Sequence, residues 1–164
     1  MSEAAGQLRA RVLTVSDRAS RGEMADDSGP AVLRLLRDAG FQVGDVEVVP
    51  DDRAEIQAFL RSAAPEADLL VTTGGTGLAP RDVTPQATAE LLDYEVPGVA
   101  ELMRAVGLTK TPMAAVSRSL AGVRGGCLVL NLPGSVKGAT ESLEAVIPIL
   151  GHACAQLQGR TGGH

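Results

Sequence analysis

The sequence predicts an α/β fold, a three-layer α/β/α sandwich built on a mostly parallel sheet. Three observations carry that reading. Short apolar stretches rich in Val, Leu and Ile alternate with stretches whose apolar residues fall at helical spacing. The glycine-rich run Thr73-Gly74-Gly75-Thr76-Gly77 joins one such strand-like stretch to one such helix. Hydrophobic residues make up 45% and charged residues 21%, so a chain of 164 residues has enough apolar material for one domain with a sizeable core.

The elements follow in order. Residues 1–8 read as a loose tail. Residues 12–15 are a short β-branched strand, and the polar stretch 20–27 is a loop. Ser28 or Gly29 caps a helix with Pro30 in its first turn; Val32, Leu35, Leu36 and Ala39 form its apolar face, and Gly40 stops it. Residues 41–49 alternate through Val43, Val46 and Val48 and read as one strand. Asp52 and Glu55 resemble a capping box ahead of Ile56, Phe59, Leu60 and Ala63. The next strand is 68–72. Thr84 reads as the cap of a helix with Pro85 at its first position, and Pro97-Gly98 opens another that runs to about Val106. Two short edge strands are expected around Ser117 and Val123. Residues 127–130 form a buried strand ended by Pro133-Gly134. The last helix covers about 138–157, and Pro148 should kink or split it. Residues 159–164 read as a second tail.

Composition excludes several classes of function. Aromatics are 2%, with no Trp, so the stacking platform of a single-strand nucleic-acid binder is missing. A net charge of −5 opposes general polyanion binding, and any phosphate site must be local. No secretory signal or transmembrane run is present, and a cytoplasmic location is expected. Cys127 and Cys154 are expected to be small buried hydrophobes, and His152 an ordinary helix residue.

The glycine run lacks the Gly-Lys-Ser/Thr ending of a Walker A loop, and Pro80 occupies the place of the third glycine of a dinucleotide fingerprint. Glycines still let backbone N–H groups approach an anion closely. An aspartate beside them, Asp82, points to metal binding, orientation of a nucleophile or proton transfer. In a parallel sheet, ligands bind beyond the carboxyl ends of the strands. Four segments lie at such ends: Ser16-Asp17-Arg18, Pro50-Asp51-Asp52, Gly74 to Asp82, and Asn131 to Lys137. They are expected to converge.

Each residue also has a structural role open to it. Asp17 suits a turn cap as well as a site. Asp52 is the helix cap, which leaves Asp51 for function. Thr84 fills the cap before Pro85, which leaves Asp82 free. Arg18, Arg81, Arg118 and Lys137 suit a solvated surface, but the loop positions of Arg81 and Lys137 favour phosphate recognition. Asn131 suits either the reading of an amide-like ring edge or the bonding of loop backbone.

Together the motifs resemble the molybdenum-cofactor biosynthesis proteins of the MogA/MoaB type. The resemblance is carried by Val12-Leu13-Thr14-Val15-Ser16-Asp17-Arg18, Val49-Pro50-Asp51-Asp52, the run from Thr72 to Pro85, Pro97 to Arg104, Ser117-Arg118 and Asn131-Leu132-Pro133-Gly134-Ser135. Arg81-Asp82-Val83-Thr84-Pro85 and Asn131-Leu132-Pro133-Gly134 look more like the adenylyltransferase branch than the MoaB branch. That branch implies transfer of AMP from ATP to the phosphate of molybdopterin, with Mg²⁺ required and pyrophosphate released. It implies Asp51 and Asp82 as the catalytic, metal-holding pair. Ser16, Asp17, Gly74, Gly75, Thr76, Gly77, Arg81, Ser117, Arg118, Asn131, Pro133, Gly134, Ser135 and Lys137 are then the substrate-binding set. It further implies a homo-oligomer, a trimer or as in MoaB relatives a hexamer, and other molybdenum-cofactor enzymes as partners. The alternative is a MoaB-like protein that binds molybdopterin without catalysis. A metal-insertion role would call for extra domains.

Overall fold

The computed structural model describes residues 6–159. Its centre is a seven-stranded sheet in the order β2-β1-β4-β7-β6-β5, with β3 also paired to β1. The strands are β1 (Arg9–Val15), β2 (Gln42–Val43), β3 (Glu47–Val49), β4 (Leu69–Thr73), β5 (Tyr94–Glu95), β6 (Ala121–Arg124) and β7 (Cys127–Leu132). β1 is parallel to β2, β3 and β4, and β4 is parallel to β7. Among the described strands β6 runs opposite to the rest, antiparallel to both β5 and β7.

Strand side chains alternate between two apolar layers. In β4, Leu69 and Val71 face one cluster and Leu70 faces the other; in β7, Leu128 and Leu130 oppose Cys127 and Val129. This is why the inner strands read as continuous apolar runs, since both of their faces are covered. A single helical turn, α1 (Asp17–Ser20), follows β1. On the first face lie α2 (Ser28–Asp38), α5 (Pro97–Leu108) and α6 (Val136–Leu157), which contribute Val32, Leu36, Met103, Leu143, Val146 and Leu150. On the second lie α3 (Arg53–Ala63) and α4 (Thr84–Ala89), with Ile56, Phe59, Leu60 and Ala87. The expected three-layer α/β/α arrangement is therefore present. Cys127 and Cys154 are fully buried and free, and burial pushes both thiols up to about 12.

Several local expectations need correction. The stretch 41–49 is two strands, because the chain leaves β1 after Val43 and rejoins it at Glu47. No strand forms around Ser117; a 3₁₀ turn covers Pro112–Val116, and the second edge strand is β5 at Tyr94. α6 is not split at Pro148 and begins two residues earlier than expected, because Ser135 caps it by accepting from the Gly138 amide. The N-cap of α2 is neither Ser28 nor Gly29 but Asp27, which makes no side-chain cap bond; the preceding Asp26 carboxylate accepts from the Gly29 amide instead. Leu8 is not loose, since its carbonyl accepts from the Gln42 amide and its side chain packs on the core. The outermost parts of both expected tails lie outside the described residues.

Candidate functional site

The chain passes from β1 to β2 and β3 on one side, then returns through α3 to β4 on the other side of β1. That reversal opens a crevice beyond the carboxyl ends of β1 and β4, where loops from both sides meet. The four expected segments converge there. The Asp17 amide donates to Asp51 Oδ2 at 2.9 Å, and the Asp51 amide donates to Asp17 Oδ1 at 3.0 Å. Arg81 binds Asp17 with two hydrogen bonds, of 2.8 and 2.7 Å. A β-carbon at Gly134 would stand 3.2 Å from the Gly74 α-carbon, so the loop after β7 abuts the loop after β4.

The glycine loop is shaped by its backbone. Gly74 and Gly75 have φ of +95° and +71°, conformations that L side chains rarely adopt. A β-carbon at Gly74 would strike the Val15 carbonyl, and one at Gly75 would strike Thr84 Oγ1 and come within 3.1 Å of Asp51 Oδ1. Arg118 braces the loop from outside the sheet. Its amide donates to the Thr76 carbonyl, and its guanidinium donates to the carbonyls of Gly77 and Asp82 and to Gln86 Oε1. These bonds make Arg118 a brace of the loop.

Two cavities meet at this loop. The larger, about 450 Å³, is lined by Gly75, Thr76, Gly77, Asp82, Ser117, Pro133, Gly134 and Ser135 on one side and by Met103, Met113, Val116 and Glu141 on the other. The smaller, about 310 Å³, is lined by Ser16, Asp26, Asp27, Ser28, Asp51, Gly74, Gly75, Asp82 and Gly134. They share Gly75, Asp82 and Gly134. At the smaller cavity Thr14 donates to Asp26 Oδ2 at 2.8 Å, and Ser28 and Thr73 share a hydrogen bond of 2.9 Å.

The carboxylates differ electrostatically. The hydrogen-bonded Arg81 guanidinium holds the Asp17 carboxyl down at about 2. Burial pushes Asp51 above the ordinary carboxylate range, and the nearby charges of Asp17 and Asp82 add to it while the Asp17 amide acts against it. Asp82 Oδ2 accepts from the Ala79 amide at 3.0 Å, and its other oxygen takes no part in that bond.

Asn131, Lys137, Thr84 and Arg81 depart from expectation. Asn131 is fully buried, belongs to β7 and donates through Nδ2 to the Thr72 and Thr88 hydroxyls, so it ties β7 to β4 and α4, while its Oδ1 is buried without a partner. Lys137 is exposed on the first turn of α6 and lines neither cavity. Thr84 is not a cap: it is the first residue of α4, and its buried hydroxyl has no partner. Arg81 is engaged by Asp17 and lines neither cavity, so its charge is already compensated. Asp52 is the cap of α3 as expected, accepting from the Glu55 amide at 3.0 Å, although its own amide donates to the Pro50 carbonyl. Sequence reasoning missed Asp26, Met103, Met113 and Glu141. The spacing of Ser135, Gly138, Glu141 and Ser142 was a legible signal for the last, because it marks one face of a helix.

Residues 11–152 match the family described as "Probable molybdopterin binding domain". The chain belongs to this family. Relatives agree: it is 43% identical over 143 residues to a molybdopterin adenylyltransferase of Helicobacter pylori, covering 85% of this chain and 81% of that protein. To the Escherichia coli molybdopterin adenylyltransferase it is 41% identical, covering 85% and 73%. It spans about half (49%) of a molybdenum cofactor biosynthesis bifunctional protein of Synechococcus elongatus, to which it is 39% identical over 94% of its own length. Among solved structures, the molybdopterin biosynthesis enzyme MoaB of Thermus thermophilus superposes with a TM-score of 0.88 at 57% identity, covering 93% of this chain and 97% of the other. A MogA structure gives 0.86 at 38% identity, covering 91% and 99%.

Proposed function

We propose that the protein is a molybdopterin adenylyltransferase that uses Mg²⁺ and ATP. The observation that carries this is the meeting of two chemically different cavities at Gly75, Asp82 and Gly134. One has sulfur and aliphatic walls suited to a flat ring system. The other has carboxylates and hydroxyls. A transfer between two bound molecules needs two adjoining compartments with the reacting phosphates at the junction.

Asp51 and Asp82 suit a magnesium ion that arrives with phosphates. Both line the smaller cavity, and each carries one oxygen outside the backbone-amide bonds described. Among the described residues no cluster of three or more potential ligands forms a cage. Magnesium keeps water and phosphate oxygens and needs only one or two carboxylates, so this sparse set fits. When bound, the ion would offset the charge of the phosphates and of the carboxylates facing them.

The chain's own residues then perform three tasks. The glycine loop and the start of α6 present backbone amides to phosphate oxygens. Met103, Met113 and Val116 give one side of the larger cavity an apolar wall. Asp51, fixed by the Asp17 amide, and Asp82, fixed by the Ala79 amide, hold their oxygens still. A phosphate oxygen of molybdopterin forms a bond to the α-phosphorus of ATP as the bond to pyrophosphate breaks. The nucleophile is already ionised, so no strong base is needed.

Incubation with molybdopterin, ATP and Mg²⁺ tests the proposal. Pyrophosphate should appear, stop with excess EDTA and return with added Mg²⁺. Transfer undiminished in EDTA would remove the metal role from both aspartates. The family description, a probable molybdopterin binding domain, leaves room for a second reading, pterin binding alone, which saturable binding without pyrophosphate would favour. We also propose a single domain acting as a homo-oligomer, a trimer foremost, in the cytoplasm. Free buried cysteines agree with a reducing compartment, and among the described residues no helix is long and apolar enough to cross a membrane.

A further inference from the structure

The larger cavity has a polar feature at the end away from the glycine loop. Its lining includes two acidic side chains, Asp82 and Glu141. Asp82 belongs to the junction. Glu141 lies on α6, where Ser135, Gly138, Glu141 and Ser142 all face the cavity at helical spacing. Glu141 stands six positions after the cap Ser135, about 9 Å along the axis. Gly134, just before that helix, abuts Gly74. One end of the cavity is therefore the junction of the glycine loop with the start of α6, where the first backbone N–H groups of a helix lack helical partners, and the other, about 9 Å away, is a carboxylate beside the methionine walls.

Molybdopterin has the matching polarity. Its phosphate stands at one end of a fused ring system. At the other end the amino-pyrimidinone edge presents two parallel donors, the ring N3–H and the 2-amino group. A carboxylate has two acceptor oxygens at the spacing such an edge requires. We propose that Glu141 reads this edge and so determines that the cavity accepts a pterin. The inference rests on the reading that the larger cavity takes molybdopterin.

Glu141 has one other partner: Lys110 Nζ stands 3.9 Å from Glu141 Oε1, with the lysine side chain 46% and the glutamate 20% exposed. A pair so long and so exposed contributes little to stability. It leaves the second carboxylate oxygen uncommitted.

The test compares three proteins, unaltered, Glu141→Gln and Lys110→Met, by titration with molybdopterin, with ATP, and with two model ligands. These are a pterin phosphate and its lumazine counterpart, in which an oxo group replaces the 2-amino group. Glu141→Gln should weaken molybdopterin and the pterin phosphate on the order of 10- to 100-fold, because an amide opposes one donor with another. It should leave ATP affinity unchanged and abolish the preference for pterin over lumazine. Lys110→Met should bind all four as the unaltered protein does. Unchanged pterin affinity in Glu141→Gln overturns the assignment of Glu141 alone, as does an equal loss in Lys110→Met, which would make the ion pair the cause. No molybdopterin binding by the unaltered protein overturns both this assignment and the proposed function. Molybdopterin binding that responds to Glu141→Gln, without pyrophosphate release, supports Glu141 and overturns only the transferase reading.

Discussion

Asp17 and Asp51 hold each other reciprocally, each backbone amide donating to the other's carboxylate, at 2.9 and 3.0 Å. Only one of the two is matched by a cation, because Arg81 binds Asp17. Two like charges thus sit side by side with opposite electrostatic histories, a pattern that separates their protonation behaviour.

Their stability effects should therefore have opposite signs. Asp17 lies below its ordinary value of 3.8, so it stabilises the fold above that value and loses the contribution as pH falls towards about 2. Asp51 lies above 3.8, so its ionised form opposes folding at neutral pH, and that penalty disappears on acidification. At pH 7, Asp17→Asn should lower the melting temperature, whereas Asp51→Asn should leave it equal or raise it. The gain in Asp51→Asn should shrink as pH approaches 4. Thermal denaturation at pH 7 and pH 4 checks both signs, and a lower melting temperature for Asp51→Asn at pH 7 would contradict the burial argument.

Asp82→Asn should fold normally, since an amide oxygen still accepts from Ala79, and should reduce adenylyl transfer on the order of 10²–10³-fold. Activity within about threefold of the unaltered protein would exclude Asp82 from the chemistry.

Asp52→Ala separates the neighbouring aspartates. It removes the acceptor of the Glu55 amide and should cost about 1 kcal/mol of stability with activity retained. Denaturant melts and a pyrophosphate assay would expose a reversed assignment of Asp51 and Asp52.

Gly75 and Gly77 should respond differently to alanine. At Gly75 the positive φ and the collision with Thr84 should cost on the order of 1–3 kcal/mol. At Gly77 the added carbon meets only the Asp82 carboxylate, at 2.9 Å, so the protein should stay folded and lose activity through a displaced Asp82. Melting curves and turnover for both variants decide it.

Arg118→Ala should raise KM more than it lowers stability. It frees the half-buried carbonyls of Gly77 and Asp82, which water can reach once the side chain is gone, but the loop no longer holds one shape. An unchanged KM for both substrates would mean that the loop needs no such brace.

The sheet, its parallel sense and the convergence of four loops were legible because β1, β4 and β7 are apolar on both faces and end in polar, glycine-bearing turns. The division of labour between Asp52 and Asp51 was legible because Asp52 stands three residues before Glu55 as a cap does, and it is the cap of α3, while Asp51 turns its carboxylate to the Asp17 amide. Other features were hidden for physical reasons. Asn131 looked like a ligand reader because it follows an apolar run; it is instead the last but one residue of β7, turned towards Thr88. Thr84 precedes a proline as caps do, yet the chain already turns into helix at Thr84 itself. The pairing of Arg81 with Asp17, 64 positions apart, leaves no trace in local spacing.

The close contact of Gly74 with Gly134 has a consequence for how the molecule comes into being. β4 lies between β1 and β7, and its pairing of Leu69 with Leu128 joins residues 59 positions apart. Parallel pairings over such separations form slowly, because a long loop must close before any contact rewards it. A nascent chain that has emerged only as far as Gly126 has β1 and β4 but no β7. It exposes the edge of β4, the run Leu69-Leu70-Val71-Thr72-Thr73, to any strand that comes near. The crevice acquires its far wall only when that edge is covered. Aggregation during synthesis and the absence of a binding site would therefore end together, when β7 docks.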